Sequence, residues 1–189
     1  MSVNTKYLFT LKIESQTIIP AKTAIGTRQY TPFTGSFSGP GGDGKILHGT
    51  DSFLMCNAPY SELHLLTHPK TVVDGITNVR CAVLHDGGDL SKDAIYMEYD
   101  GIFSATCATW MKIGIAQKMG LPLPKPSSYY WRTCPRFETG SERWGYLNRS
   151  VAVGKAQFAR ELVPPAEGED PNSAPTYKYV ILDEIYLVS

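Results

Sequence analysis

The densest concentration of chemically capable residues runs from Ser127 to Gly154, SSYYWRTCPRFETGSERWGYLNRSVAVG. It gathers Tyr129, Tyr130, Trp131, Phe137, Trp144 and Tyr146 among Arg132, Arg136, Glu138, Glu142, Arg143 and Arg149. Such a stretch can build a ligand wall, with rings for apolar contact and a few charged groups to orient the ligand. It can equally be a hairpin that supplies core rings to a sheet while its arginines stay in water. Other chemistry is excluded by spacing. His64 and His68 lie four apart, but no glutamate stands between them, Pro69 follows, and no third ligand is evident, so no zinc site is expected. Gly42-Asp43-Gly44-Lys45-Ile46 lacks the spacing of a phosphate loop, and no helix is expected after it. Gly35 to Gly39 has Phe37 where a nucleophile elbow needs serine. There is no dinucleotide fingerprint, so no cofactor is expected.

The elements that must position these residues read as strands. Tyr7, Phe9, Leu11 and Ile13 alternate with Leu8, Thr10, Lys12 and Glu14. Further strands are expected at 28–33, from Ile46, from Phe53, over Asn78–His85, over Ala94–Tyr99 and over Tyr177–Val188. Asp74-Gly75 reads as a turn. Thr139-Gly140-Ser141-Glu142 reads as the tight turn of an aromatic hairpin, with Pro135 marking an edge or bulge. Ser104–Met119 is the one helix candidate, ended by Gly120-Leu121-Pro122. Residues 163–175, rich in Pro, Glu and Gly, read as a surface loop. The expectation is a single all-β domain over residues 1–189: an antiparallel barrel of about ten strands, with a lipocalin-like cavity and one short helix.

Composition narrows the function classes. Lys and Arg total 18 against 18 Asp and Glu, so no basic field points to nucleic acid. The four cysteines form no Cys-x-x-Cys pair, and no apolar run reaches membrane-spanning length. The first residues show no signal-peptide pattern, so reduced thiols in a cytoplasmic protein are expected.

Tyr129 to Gly140, followed by Leu147, Asn148, Val153 and Gly154, resembles the domain of unknown function 3237 family. Gly26-Thr27-Arg28, Phe37-Ser38-Gly39-Pro40, Gly49-Thr50-Asp51, Val79-Arg80 and Asp86-Gly87 fit the same pattern. Ser52 and Asn78 depart from it, and 57–72 and 161–176 read as insertions. The resemblance implies a compact barrel with an open-mouthed cavity, often a homo-oligomer. Some similar fungal members act in polyketide or meroterpenoid pathways as cofactor-independent cyclases. One such activity is stereoselective addition of a hydroxyl to an alkene; a hetero-Diels–Alder-type cycloaddition is an alternative, and a non-catalytic binding protein another. The substrate implied is an aromatic or prenylated small molecule.

Such a cyclase needs a shaped apolar pocket and a proton donor or acceptor. Asp51, Glu98 and Glu138 are the candidate carboxylates, and Arg80 and Arg132 could hold an anionic oxygen. Tyr96, Tyr130, Trp131, Phe137, Trp144 and Asn148 are the candidate binding residues. Strand parity offers two arrangements. In the first, expected here, Arg80 faces the lumen with Tyr96 and Glu98. In the second Arg80 is in water, and Val79, Cys81 and Val83 line the interior.

Overall fold

The computed structural model describes residues 4–24, 26–40, 42–56, 69–164 and 175–189. His64 and His68, where no zinc site is expected, and most of both expected insertions lie outside the described residues. Within them the chain forms β1 (Thr5–Ser15), β2 (Ile19–Thr23), β3 (Gly26–Ser38), β4 (Gly44–Cys56), β5 (Val72–His85), β6 (Ile95–Thr106), β7 (Tyr129–Thr139), β8 (Val151–Val163) and β9 (Thr176–Val188). The sheet order is β1-β9-β8-β7-β6-β5-β4-β3-β2, and β1 also pairs antiparallel with β3. That last pairing closes all the strands but β2 into an antiparallel barrel, removing the exposed edges an open sheet would carry. Strand β2 stays outside the closure, paired along the first half of β3.

Period-two alternation fills the interior. Phe9, Leu11 and Ile13 of β1 are buried, as are Val79, Cys81 and Val83 of β5 and Ile95, Met97 and Tyr99 of β6. A bulge between Tyr7 and Phe9 in the pairing with β9 lets Leu8 be buried as well, against simple alternation. Two apolar clusters occupy the two ends. One holds Phe9, Phe37, Val83, Met97, Phe137, Trp144 and Leu147. The other holds Phe53, Phe103, Ile113 and Trp131, with Trp110 and Phe158 packed against it. Each fully buried ring or branched chain contributes about 1.5–3 kcal/mol relative to exposure.

Among the described residues, two α-helices join the barrel: α1 (Leu90–Asp93), a single turn, and α2 (Cys107–Met119). Helix α2 begins where Thr106 leaves β6, its hydroxyl accepting from Thr109 N–H at 3.2 Å. It ends at Gly120, whose φ of 67° lets its N–H reach back to Ala116 O. The Tyr179 hydroxyl lies 2.6 Å from Ala116 O and 2.9 Å from Leu121 O, tying the helix end to β9. So α2 is held over one barrel end.

Three local expectations are corrected. Asp74-Gly75 is not a turn; β5 runs straight through it. Gly75 is there because a Cβ would stand 2.2 Å from Cζ of Phe53. The aromatic stretch is not a tight hairpin. After Thr139 the chain makes turns and a 3₁₀ segment, Gly145–Arg149, which folds Trp144 and Leu147 into the barrel end. Strands β7 and β8 pair only at Arg132–Lys155 and Thr133–Gly154. Pro135, which has no N–H to give, sits just beyond that short seam. Finally, the second parity holds: Arg80 is outside.

Candidate functional site

Strand parity places most of the expected charged residues on the outer face. Arg80 and Glu98 face each other across β5 and β6 and form an ion pair, Nη2 to Oε1 3.1 Å, with the Arg80 side chain 61% exposed. Val79 and Cys81 are the larger apolar load, and burying them forces Arg80 outward. Arg132 is exposed, donates to Trp131 O at 2.8 Å and stacks on the exposed Tyr130 ring at 4.8 Å. Glu138 and Tyr96 face each other on the same outer surface. Asn148 serves a turn: its amide accepts from Thr139 N–H and donates to Thr139 O, both at 2.9 Å. Phe137 and Trp144 are buried in the plugged end, where Trp144 packs 5.5 Å from His85. Tyr96, Phe137, Glu138 and Asn148 border a shallow outer depression, while of the expected residues Asp51 and Trp131 lie together inside the barrel.

These two line a cavity of about 250 Å³ beneath α2. Its walls are Phe53, Phe103, Trp110, Ile113, Trp131 and Phe158. Trp110 stacks on Phe53, centroids 5.9 Å apart, and meets Phe103 at 5.1 Å; Trp131 meets Phe103 edge-on at 5.6 Å. Gln29, Thr31, Gln117 and Tyr179 add a few polar groups. Mostly aromatic walls with sparse polar groups are what a small-molecule site offers. The Trp131 indole N–H is buried with no hydrogen-bond partner among the described residues, a donor left free for a ligand acceptor.

Below this cavity the barrel carries a polar layer. Asp51 accepts from the Thr77 hydroxyl at 2.6 Å and from the Asn78 backbone N–H. Desolvation outweighs both bonds and pushes its carboxyl up to about 6. Asp183, 1% exposed, accepts from the Thr133 hydroxyl at 3.1 Å. Burial first, opposed by that bond and reinforced by Glu184, pushes it up to about 7. Tyr99 is fully buried near both of them, its phenol raised well above its ordinary value by burial and then by Asp183, Cys81 and Asp51. Gly154 makes room: a Cβ there would lie 1.9 Å from Thr133 Oγ1 and 2.7 Å from Asp183 Oδ1. No Lys, Arg or His lines this cavity among the described residues.

Asp183 escaped the sequence reading. The only signal for it was a charged residue at an inward position of the closing strand: Val180, Asp183 and Ile185 are all buried. Among the described residues, no three His, Cys, Asp or Glu side chains gather as a metal would need.

A family model for proteins of unknown function, DUF3237, matches residues 3–165. The chain belongs to the DUF3237 family. A UPF0311 protein of Bradyrhizobium diazoefficiens is 26% identical over 156 residues, covering 82% of this chain and 88% of its own. A UPF0311 protein of Rhodopseudomonas palustris is likewise 26% identical, with the same coverage, 82% and 88%. Among solved structures, a protein of unknown function from Rhodopseudomonas palustris superposes with a TM-score of 0.69 at 22% identity, covering 100% of this chain and 99% of its own. An enzyme from Penicillium herquei superposes with a TM-score of 0.55 at 14% identity, covering 100% and 96%. At these identities the structures share the fold. The sequence relatives named here are bacterial.

Proposed function

We propose that this DUF3237 protein is an acid–base catalyst acting on an apolar, ring-bearing small molecule. Its reaction in this reading is a cyclisation in which a hydroxyl adds to an alkene of the same molecule. The observation that carries the reading is Asp51: a carboxyl set in an aromatic cavity whose burial pushes its pKa up to about 6. A group with that proton affinity can both donate and accept at physiological pH.

The chemistry balances without any co-reactant. The hydroxyl oxygen forms a C–O bond to one alkene carbon, and the other receives a proton from Asp51. The hydroxyl proton then returns to the carboxylate, so product and substrate are isomers. The cavity walls hold the folded conformer in which oxygen and alkene meet; well-placed intramolecular pairs gain about 7 kcal/mol or more in this way. Flat walls at Phe53, Trp110 and Trp131 favour a planar aromatic portion of the substrate. The same fold serves an enzyme in Penicillium herquei.

An aromatic polyol with a prenyl-type side chain, incubated with the protein and separated by chiral chromatography, tests the reading. A single enantiomer of the ring-closed product is expected. Tight binding with unchanged or racemic product would replace it with a carrier role. A product carrying two new ring bonds from a diene would replace it with cycloaddition.

A further inference from the structure

Asp51 and Asp183 are joined by a second, smaller space. It measures about 20 Å³ and is lined by Asp51, Thr77, Tyr99, Thr133 and Asp183 on its polar side, with Val79, Trp131 and Ile181 around them. Asp51 lines both this chamber and the large cavity; Asp183 lines the chamber alone. A space of that size admits one water, provided two to four polar groups hold it. Two carboxyls and two hydroxyls meet that condition. Thr77 and Thr133 each donate their single proton to a carboxylate, which leaves both hydroxyl oxygens able to accept. Each carboxyl also keeps unused lone pairs.

We propose that this chamber binds one water molecule that bridges Asp51 to Asp183, making Asp183 the proton reservoir for Asp51. The inference rests on the acid–base reading of Asp51 and assigns a second residue to it. Asp183 cannot touch anything in the large cavity, so it acts through Asp51 as a positioning residue. When Asp51 has given its proton to the substrate, the bridging water passes one proton to the Asp51 carboxylate and takes one from the Asp183 carboxyl. One proton has then moved from Asp183 to Asp51, and the water is unchanged. As Asp51 takes up the substrate's hydroxyl proton, it passes its own proton back through the water to Asp183, so both carboxyls end the cycle protonated.

The charged surroundings suit this role. Facing Asp183 are Thr133 from β7, Tyr99 from β6 and Cys81 from β5, and Glu184 beside it in β9 adds negative charge. Among the described residues, no Lys, Arg or His lines the chamber to pin either carboxyl in its ionised form. An unpaired buried carboxylate is costly, so each additional negative charge in the chamber is resisted.

Carbon-13 NMR of labelled aspartate carboxyls, titrated in wild type, Asp51→Asn and Asp183→Asn, tests this without any substrate. Replacing either residue is expected to lower the midpoint of the other by about one pH unit or more. A high-resolution crystal structure is expected to show one water within hydrogen-bond distance of both carboxyls. Unchanged midpoints, or a dry chamber, overturn the relay. If one variant fails to fold, the other asks the same question, and in wild type a two-step titration of each carboxyl supports coupling while a single step refutes it. Coupling without turnover would remove the cyclase reading and leave the pair intact. Turnover without coupling would do the opposite.

Discussion

Asp183→Asn is expected to make the protein more stable at alkaline pH. Burial raises the native Asp183 pKa from 3.8 to about 7, so the folded state holds a proton that the unfolded chain releases above about pH 4. Stability from this group is therefore fully present below about pH 4 and is lost as pH rises through about 7. At about 1.4 kcal/mol per pH unit of displacement, the loss amounts to about 4 kcal/mol by pH 8.5. Asparagine keeps the shape and the acceptor for Thr133 but cannot ionise. Its extra amide hydrogens cost about 1–3 kcal/mol if unpartnered, at every pH alike. The difference between the two pH dependences is thus the quantity to read. Urea unfolding of both proteins at pH 5 and pH 8.5 should show wild type losing about 3 kcal/mol more than the variant over that span, the rest of the loss having occurred below pH 5. Parallel losses would refute the argument, since they would mean that Asp183 ionises as freely in the fold as in the unfolded chain.

Turnover should need the protonated form of Asp51, so kcat/KM is expected to fall about tenfold per pH unit above about 6, read from a pH–rate profile. Gly154→Ala should destabilise the fold by about 1–3 kcal/mol in denaturant titration, because its Cβ overlaps Thr133 and Asp183. Arg80→Ala and Arg132→Ala, removing exposed groups, should change stability by no more than about 1 kcal/mol and leave steady-state turnover within a few-fold of wild type.

The fold was legible because strand periodicity is a strong signal where one face is buried. Phe9-Leu11-Ile13 and Val79-Cys81-Val83 alternate without interruption, and turn residues mark most of the connections between strands. What failed were places where local chemistry was overruled by packing. Asp74-Gly75 has turn composition, yet the Phe53 ring needs a residue without a side chain in mid-strand. Arg80, Glu98, Arg132 and Glu138 carry the right functional groups, but each alternates with a buried neighbour that sets the strand's parity. Asp51 and Trp131 were found because one belongs to the Gly49-Thr50-Asp51 mark of the family resemblance and the other to the aromatic stretch. Asp183 was missed because an Asp-Glu pair within a run of Val, Ile and Leu gives no motif. Its meaning comes from Thr133, Gly154 and Asp51, which belong to three other strands and meet it only once the barrel closes.

Asp51→Asn with substrate at saturation tests the central claim most directly. The carboxyl is small beside the aromatic walls, so calorimetric binding of the prenylated polyol should stay within a few-fold of wild type. The turnover number should fall by about a hundredfold or more, the usual loss on removing a general acid. Full turnover in a folded Asp51→Asn protein would contradict the account, because catalysis would then owe nothing to the carboxyl at the cavity floor.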